Sequence, residues 1–171
     1  MVPRSSPGYA ALRRFRDSRP DSDYFLTLNL AKRGFGLENP AVTVAVIAEW
    51  DQLAVEKLWF VRTATVMPDH LHLLIRSGES ATLEECVKRF KGRLSPHFRS
   101  ASLQWQDGFY DHELRPADDV LAIFLYIYLN PYGAGLIPET ETWPGYRCCP
   151  EDWAWFGAMT RESAPQPEWL R

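Results

Sequence analysis

Two histidines separated by one leucine carry the strongest chemical signal in the sequence. His70, Leu71 and His72 lie in a segment, residues 70–76, whose composition predicts a strand. Because side chains alternate between the two faces of a strand, both imidazoles point to one side and Leu71 to the other. Two imidazoles about 7 Å apart along one face could bind one divalent cation, although two ligands do not complete a site. The alternative is a pair of surface histidines on a half-exposed strand.

A tyrosine and an asparagine supply the second chemical signal. Tyr126 and Asn130 are four residues apart in a predicted helix, so they lie on one helical face a turn apart. The side-chain carbonyl of Asn130 suits a hard cation such as Mg²⁺, and the phenol of Tyr126 could act as a covalent nucleophile. The alternative for Tyr126 is packing at the edge of an apolar helix. Together with His70 and His72, these residues could form a metal site for phosphoryl transfer on DNA.

Hydrophobic alternation and capping residues predict the order of the elements. Asn39-Pro40 and the capping box at residues 82–85 are typical of helix starts. Pro131 predicts that the last helix ends at Asn130, because proline disfavours helical geometry in the residue before it. Strands are predicted over residues 24–30, 58–66 and 70–76 and within 103–114, and helices over about 40–57, 83–98 and 118–130. This order predicts an α+β, ferredoxin-like domain, with an antiparallel sheet, helices on one face and the Tyr126 helix following the sheet.

Composition and length predict one folded domain with two flanking segments. The chain has 171 residues, of which 46% are hydrophobic and 24% are charged, so a core can form and wholesale disorder is excluded. Residues 1–20 form an Arg-rich arm, residues 21–136 hold the predicted catalytic domain, and residues 137–171 form an acidic extension with four tryptophans. We expect this extension to pack on the domain.

The sequence also predicts a cytoplasmic protein without disulfides. No apolar run reaches the roughly 18 residues of a membrane span, and the first residues lack the apolar core of a secretion signal. Cys86, Cys148 and Cys149 are odd in number and two are adjacent, where a mutual bridge would be strained. We therefore expect reduced thiols and no membrane partner.

The net charge of −3 conceals an uneven distribution that bears on nucleic-acid binding. Residues 1–100 carry 15 Lys and Arg against 11 Asp and Glu, whereas residues 101–171 carry 4 against 11. Basic residues on the second helix and in the arm could follow a phosphate backbone, and nearby aromatic residues could stack on unpaired bases. The candidates are Lys88, Arg89, Lys91 and Arg93 on the helix, Arg13, Arg14 and Arg16 in the arm, and Trp105, Phe109 and Tyr110 for stacking. The alternatives are a solvated helix face and core aromatics.

Several motifs, in this order, resemble the REP-associated tyrosine transposases of the single-tyrosine HUH (His-hydrophobic-His) superfamily. They span about residues 24–136, which is most of the chain. The motifs are YFLTLNL at 24–30, VMPDHLHLLI at 66–75, FKGRLS at 90–95, WQDGFYDHELR at 105–115 and YIYLNPYGAGL at 126–136. One departure is Tyr132-Gly133, where the family commonly has a basic residue.

The resemblance implies roles for individual residues. His70 and His72 correspond to the HUH metal ligands, Asn130 to the polar third ligand, and Tyr126 to the catalytic tyrosine, while His112 stands at a family position near the site. The implied activity is cleavage and rejoining of single-stranded DNA at palindromic hairpins, dependent on Mg²⁺ or Mn²⁺, through a 5′-phosphotyrosine. Related transposases include dimers, but the resemblance favours a monomer over a homodimer.

Two other functions remain open from the sequence. The acid-rich C-terminal half motivates a domesticated protein that binds DNA hairpins without cutting them. A metal hydrolase acting on small phosphates, through His70, His72 and Asp69, is the third possibility, although no further ligand cluster supports it.

Overall fold

The computed structural model describes residues 18–31 and 34–161 of the chain. Its elements in chain order are β1 (Asp23–Asn29), α1 (Pro40–Val55), β2 (Trp59–Val66), β3 (His70–Ser77), α2 (Leu83–Ser100), β4 (Tyr110–Glu113), α3 (Val120–Gly133), β5 (Tyr146–Cys148) and α4 (Pro150–Arg161). The strands form one antiparallel sheet in the order β4-β1-β3-β2-β5. The predicted α+β, ferredoxin-like class is confirmed.

Side-chain caps begin the first three helices. The Asn39 side chain accepts a hydrogen bond from the Ala41 amide at the start of α1. Thr82 and Glu85 form the predicted capping box of α2. Asp119 caps α3 by accepting from the Ala122 amide, which fixes where the tyrosine-bearing helix starts.

The two faces of the sheet are covered by different helices. On one face, alternate residues of β1 and β3, such as Leu26 and Leu73, pack into a core with α1 and α2. On the other face, Leu74 packs with Phe124 of α3 and Phe156 of α4. The prediction of helices on one face therefore describes α1 and α2 but omits the second layer formed by α3 and α4.

Helix α3 continues beyond the predicted end at Asn130. Pro131 lies inside the helix, which ends at Gly133 and is closed by a hydrogen bond from the Ala134 amide to the Asn130 carbonyl. A proline within a helix removes one backbone hydrogen bond. Here tertiary contacts offset that loss, because Pro131 is buried and the Tyr132 hydroxyl donates to the Glu141 carbonyl. The sequence-based boundary was wrong by one turn.

Residues beyond 136 complete the sheet and the second core. Strand β5 pairs with β2, and the Arg62 guanidinium of β2 donates two hydrogen bonds to the Asp152 carboxylate of α4, at 2.7 and 2.9 Å. The three cysteines are free. No helix in the described part of the chain combines the length and apolar composition needed to cross a membrane.

Candidate active site

Strand β3 brings the two histidines together on the face that α3 covers. Leu71 and Leu73 point into the core beneath α1 and α2, so His70 and His72 face the other way. The two rings tilt towards each other until their Nε2 atoms are 3.0 Å apart. Their ring centroids are 4.5 Å apart, well inside the about 7 Å that separates alternate residues along a strand.

Neighbouring polar groups orient both imidazoles. The Asp69 Oδ1 atom lies 2.6 Å from His70 Nδ1, and an ionised carboxylate only accepts, so His70 Nδ1 carries the proton. In the neutral ring this leaves a lone pair on Nε2, directed towards His72. The Thr27 hydroxyl of β1 lies 3.0 Å from His72 Nδ1 and holds the second ring.

His72 is kept neutral by its surroundings. Burial, together with the nearby His70, lowers the pKa of His72 to about 3. The imidazole has 5% of its surface exposed. A neutral imidazole is the form that ligates metals, so His72 is available as a ligand throughout the physiological pH range.

Helix α3 places the predicted nucleophile beside His72. The Tyr126 hydroxyl oxygen lies 3.2 Å from His72 Nε2, and the two rings are 5.0 Å apart. Phe25 of β1 stacks on His72 at 5.5 Å and meets Tyr126 edge-on at 5.9 Å. Tyr126 is 38% exposed, so its hydroxyl can be reached from solvent while its ring is held in place.

The structure does not bring every predicted ligand into contact. Asn130 is half-buried one turn after Tyr126, and within residues 18–31 and 34–161 its side chain makes no hydrogen bond to either histidine. The described residues also contain no cluster of three or more His, Cys, Asp or Glu side chains suited to a metal. The Thr65 hydroxyl is buried without a described partner, and Thr65 pairs directly with His72 across β2 and β3. A polar occupant beside His72 would satisfy this hydroxyl.

His112 lies near Tyr126 on the edge strand β4. It pairs with Phe25 in the sheet, and its Nε2 atom lies 3.0 Å from the Asp118 carboxylate. His112 and Tyr126 line the same open groove, which has a volume of about 440 Å³. His112 and Tyr126 therefore line one groove, and a catalytic role for His112 stays a prediction.

The predicted basic residues fall into three groups. Lys91 and Arg93 bind protein groups: the Lys91 ammonium donates to the Gln106 and Gly108 carbonyls, and Arg93 forms ion pairs with acidic residues in and just after α1. Lys88 and Arg89 are exposed, but α2 covers the sheet face opposite Tyr126. Arg13, Arg14 and Arg16 lie outside the described residues. Phosphate binding by Lys91 and Arg93 would compete with these contacts, and their assignment to DNA stays a prediction.

Two of the three predicted stacking residues pack in or against the larger core. Phe109 is 7% exposed, which leaves no ring face for a base, so its assignment to DNA stacking is corrected. Trp105 is partly buried and stacks on Phe98 at 4.4 Å, and its assignment stays a prediction. Tyr110 is 51% exposed and lines the groove with Tyr126, which keeps it as a candidate.

Sequence reasoning missed the site residues contributed by β1 and by the start of α3. Phe25 and Thr27 alternate with the buried Leu26 and Leu28 in YFLTLNL, so the sequence alone predicts that they share a face of the strand. The sequence does not predict which residues of β3 they face, because strand register joins segments that are far apart in the chain. Asp118, which contacts His112, carried only the signal of a helix start.

Comparison with known proteins places the chain in a family. Residues 33–127 match the sequence pattern of a family described as "Transposase IS200 like", which is more than half of the chain. The fold is a sheet-centred α+β domain with a histidine pair facing a helix-borne tyrosine. The chain belongs to the IS200-like transposase family.

A solved structure shares this fold. A REP-associated tyrosine transposase bound to a REP hairpin superposes with a TM-score of 0.64 at 20% identity, covering 77% of this chain and 79% of that one. A transposase-like protein of Deinococcus radiodurans R1 gives a TM-score of 0.48 at 18% identity, covering 61% of this chain and 87% of that one. A search of curated proteins found no match.

Proposed function

We propose that this protein is a metal-dependent single-stranded DNA endonuclease and strand transferase. It would cut and rejoin DNA at palindromic repeat hairpins through a 5′-phosphotyrosine on Tyr126. The observation that carries the proposal is the 3.2 Å approach of the Tyr126 hydroxyl to His72 Nε2, an atom that also lies 3.0 Å from His70 Nε2. Family membership and a similar structure bound to a REP hairpin support the choice of DNA.

The residues around His72 fit a divalent cation. Metal–imidazole bonds of about 2.0–2.1 Å place adjacent ligands about 3 Å apart, which matches the 3.0 Å between the two Nε2 atoms. Asp69 orients His70 in the manner common for metal-ligating histidines. His70 and His72 would hold the ion, and Asn130 is the proposed third ligand. When bound, Mg²⁺ or Mn²⁺ would polarise the scissile phosphate as a Lewis acid.

The chain's own residues provide the nucleophile and its orientation. The Tyr126 oxygen attacks the scissile phosphorus, the bond from phosphorus to the 3′ oxygen breaks, and Tyr126 becomes joined to the 5′ phosphate. The phenol loses its proton and the departing 3′ oxygen gains one. Phe25 and His72 pack against the ring of Tyr126, so the nucleophile is already oriented before it attacks. In the reverse exchange a 3′ hydroxyl attacks the phosphotyrosine, which conserves the number of phosphodiester bonds.

A non-cleaving hairpin-binding protein remains the second candidate. The carboxylates Asp118 and Asp119 line the groove beside Tyr126, and acidic residues dominate the C-terminal half of the chain. Negative charge beside the nucleophile would weaken binding of a scissile phosphate. Hairpin binding without a covalent product would favour this candidate.

A matched pair of tyrosine variants tests the proposal. The substrates are hairpin oligonucleotides with single-stranded flanks, taken from palindromes next to the gene and incubated with Mn²⁺ or with chelator. Tyr126→Phe should bind DNA but yield no protein–DNA adduct on a denaturing gel. Tyr128→Phe removes a hydroxyl from the same helix, where the ring packs on Tyr146 in the second core, and should keep the adduct. An adduct with Tyr126→Phe, or equal cleavage in chelator, would refute the assignment.

A further inference from the structure

An open groove between β4 and α3 continues from the Tyr126 hydroxyl along the protein surface. We call it the β4–α3 groove, and its volume is about 440 Å³. Its walls are apolar or aromatic, and its polar groups cluster where His112 meets Asp118 at the start of α3. The walls are Phe25, Tyr110, Ala122, Ile123 and Tyr126, and the polar groups are His112, Asp118 and Asp119.

The charges lining the β4–α3 groove disfavour a phosphate. Among the described residues, no lysine or arginine lines it, whereas two carboxylates do. An anionic ligand would be repelled by Asp118 and Asp119, so the occupant should be uncharged. Pockets of this size hold flat organic groups, and the apolar walls favour an aromatic one. A nucleobase is the uncharged aromatic part of the proposed DNA substrate.

Tyr110 and Phe25 shape the groove for stacking. Tyr110 is 51% exposed and meets Phe25 edge-on at a centroid distance of 6.3 Å. The tyrosine ring is therefore supported by the sheet and also accessible. An exposed, supported aromatic ring is the usual platform for an unpaired base.

Asp118 supplies a fixed hydrogen-bond acceptor among the polar groups of the groove. Its Oδ2 atom accepts from the Arg115 amide at 2.6 Å and lies 3.0 Å from His112 Nε2. The bond from the Arg115 amide and the nearby His112 lower the pKa of the Asp118 carboxyl, so it is ionised at neutral pH. A carboxylate has acceptor sites to spare and no proton to donate. Asp119 has fewer acceptor sites left for a ligand, because its Oδ1 atom already accepts from the Ala122 amide at the start of α3.

We infer that the β4–α3 groove binds one unpaired nucleobase next to the scissile phosphate and selects a base that carries an exocyclic amino group. Cytosine, adenine and guanine carry such an amino group, from which the Asp118 carboxylate can accept a hydrogen bond, whereas thymine has a carbonyl oxygen at the ring position of the cytosine amino group. Because Tyr126 lines the same groove, the selected base lies beside the bond that Tyr126 would cut. This inference rests on the proposed function for the identity of the substrate.

Binding of homopolymers tests the base preference without requiring cleavage. The probes are fluorescein-labelled 12-mers of dC, dA and dT, measured by anisotropy with the full chain in chelator. The wild-type protein should bind the dC and dA 12-mers at least about fivefold more tightly than the dT 12-mer. Asp118→Asn should bring this ratio close to one, because an amide can also donate to the thymine carbonyl. Asp107→Asn removes the same charge at an exposed loop position outside the groove and should keep the wild-type ratio.

Substitutions of Tyr110 test the groove independently of Asp118. Tyr110→Ala should weaken binding of all three 12-mers by a similar factor, of about tenfold, because stacking tolerates any base. Tyr110→Phe keeps the ring and should restore binding. Melting curves of each variant show whether it is folded. Equal wild-type affinity for the three probes, or a ratio unchanged by Asp118→Asn in a folded protein, would overturn the inference.

The adduct assay separates this inference from the proposed function. One outcome is that Tyr126 forms an adduct while Asp118→Asn leaves the ratio of dC and dA affinity to dT affinity unchanged. In that case the groove assignment fails and the cleavage assignment stands. If the ratio depends on Asp118 but no adduct forms with any hairpin or metal, cleavage fails. In that case the base-reading groove is supported as part of a binding protein.

Discussion

His72 is the residue on which the other site groups converge. Its ring contacts Phe25, His70 and Tyr126, and its Nδ1 atom meets the Thr27 hydroxyl. Burial favours the neutral imidazole, because a charged ring would lose its hydration. The same burial that keeps His72 neutral therefore makes the native state sensitive to acid.

The pH dependence of stability should report this buried imidazole. The pKa of His72 is about 3 in the native state, and a free histidine has a pKa of about 6.5, so the unfolded chain binds the extra proton first as the pH falls. Stability should therefore fall from pH 7 to pH 5 by about 2 kcal/mol from this residue. Urea unfolding of the wild type and of His72→Asn in chelator measures the effect. If the free energy of unfolding of His72→Asn falls between pH 7 and pH 5 as much as that of the wild type, the assignment to His72 is contradicted.

Asp69 should act on catalysis through His70. Asp69→Asn keeps the size of the side chain but removes the carboxylate that fixes the His70 proton on Nδ1. The Mn²⁺ concentration for half-maximal adduct formation should rise about 10- to 100-fold. Adduct formation at saturating Mn²⁺ should recover much of the wild-type level. Asp107→Asn is the charge-matched control, and an unchanged Mn²⁺ requirement in Asp69→Asn would exclude this role.

At the scale of elements, α4 is fastened to the sheet by one arginine. Arg62 on β2 contacts Asp152 of α4 and Asp23 of β1, and its guanidinium lies 5.5 Å from the ring centre of Phe124. These contacts link β1, β2, α3 and α4 around one cation. The arrangement holds α3, and with it Tyr126, against the sheet.

Removing one partner of this arginine should loosen the second layer. Asp152→Ala leaves Arg62 with Asp23 alone, and we expect a loss of about 2–3 kcal/mol in the free energy of unfolding. Glu151→Ala removes an exposed carboxylate from the same first turn of α4 and should cost under about 0.5 kcal/mol. Chemical denaturation of both variants makes the comparison. Equal stabilities would show that the Arg62 contacts do not hold α4.

Local patterns predicted the elements well where short-range chemistry decides their ends. The capping residues Asn39 and Thr82 placed the starts of α1 and α2, and strand alternation put the two histidines on one face. The end of α3 was misplaced because burial of Pro131 outweighs its local preference. Strand β5 has three residues and depends on pairing with β2, so no local pattern identified it.

The packing of several predicted DNA-binding residues depends on long-range contacts. Arg93 finds its acidic partners in and just after α1, and Trp105 finds Phe98 on α2, through contacts that no spacing within a segment reveals. Residue type alone showed which side chains could contact DNA. Packing decided which of them remain accessible.

At the scale of the whole molecule, the two layers of helices have different roles. Helices α1 and α2 build the larger core, and α3 with α4 build a smaller core that carries the site. Lys88 and Arg89 lie on the layer away from Tyr126, so DNA held at the site would reach them only by passing around the sheet edge. The residues after Leu136 contribute β5 and α4 and are therefore part of the structure that supports Tyr126.

Truncation tests whether the acidic extension is structurally required. A chain ending at Leu136 would lack Tyr146 and Phe156 and would expose Leu74, Phe124 and Ile127 to water. We expect this chain to aggregate or to lose cooperative thermal unfolding, because burying each such side chain contributes about 1.5–3 kcal/mol. A truncated protein that stays soluble and unfolds cooperatively near the wild-type temperature would show that residues 137–171 are a dispensable attachment.

Under the proposed function, Tyr126 becomes covalently joined to DNA when a divalent metal is present. Mass spectrometry of proteolysed reaction mixtures, containing the flanking-palindrome hairpins with Mn²⁺, measures this directly. We predict a peptide spanning Tyr126 that carries a 5′-phosphorylated nucleotide, present with Mn²⁺ and lost in chelator and in the His70→Ala and His72→Ala variants. A nucleotide attached to a different residue, or cleaved DNA with no peptide adduct, would contradict the account.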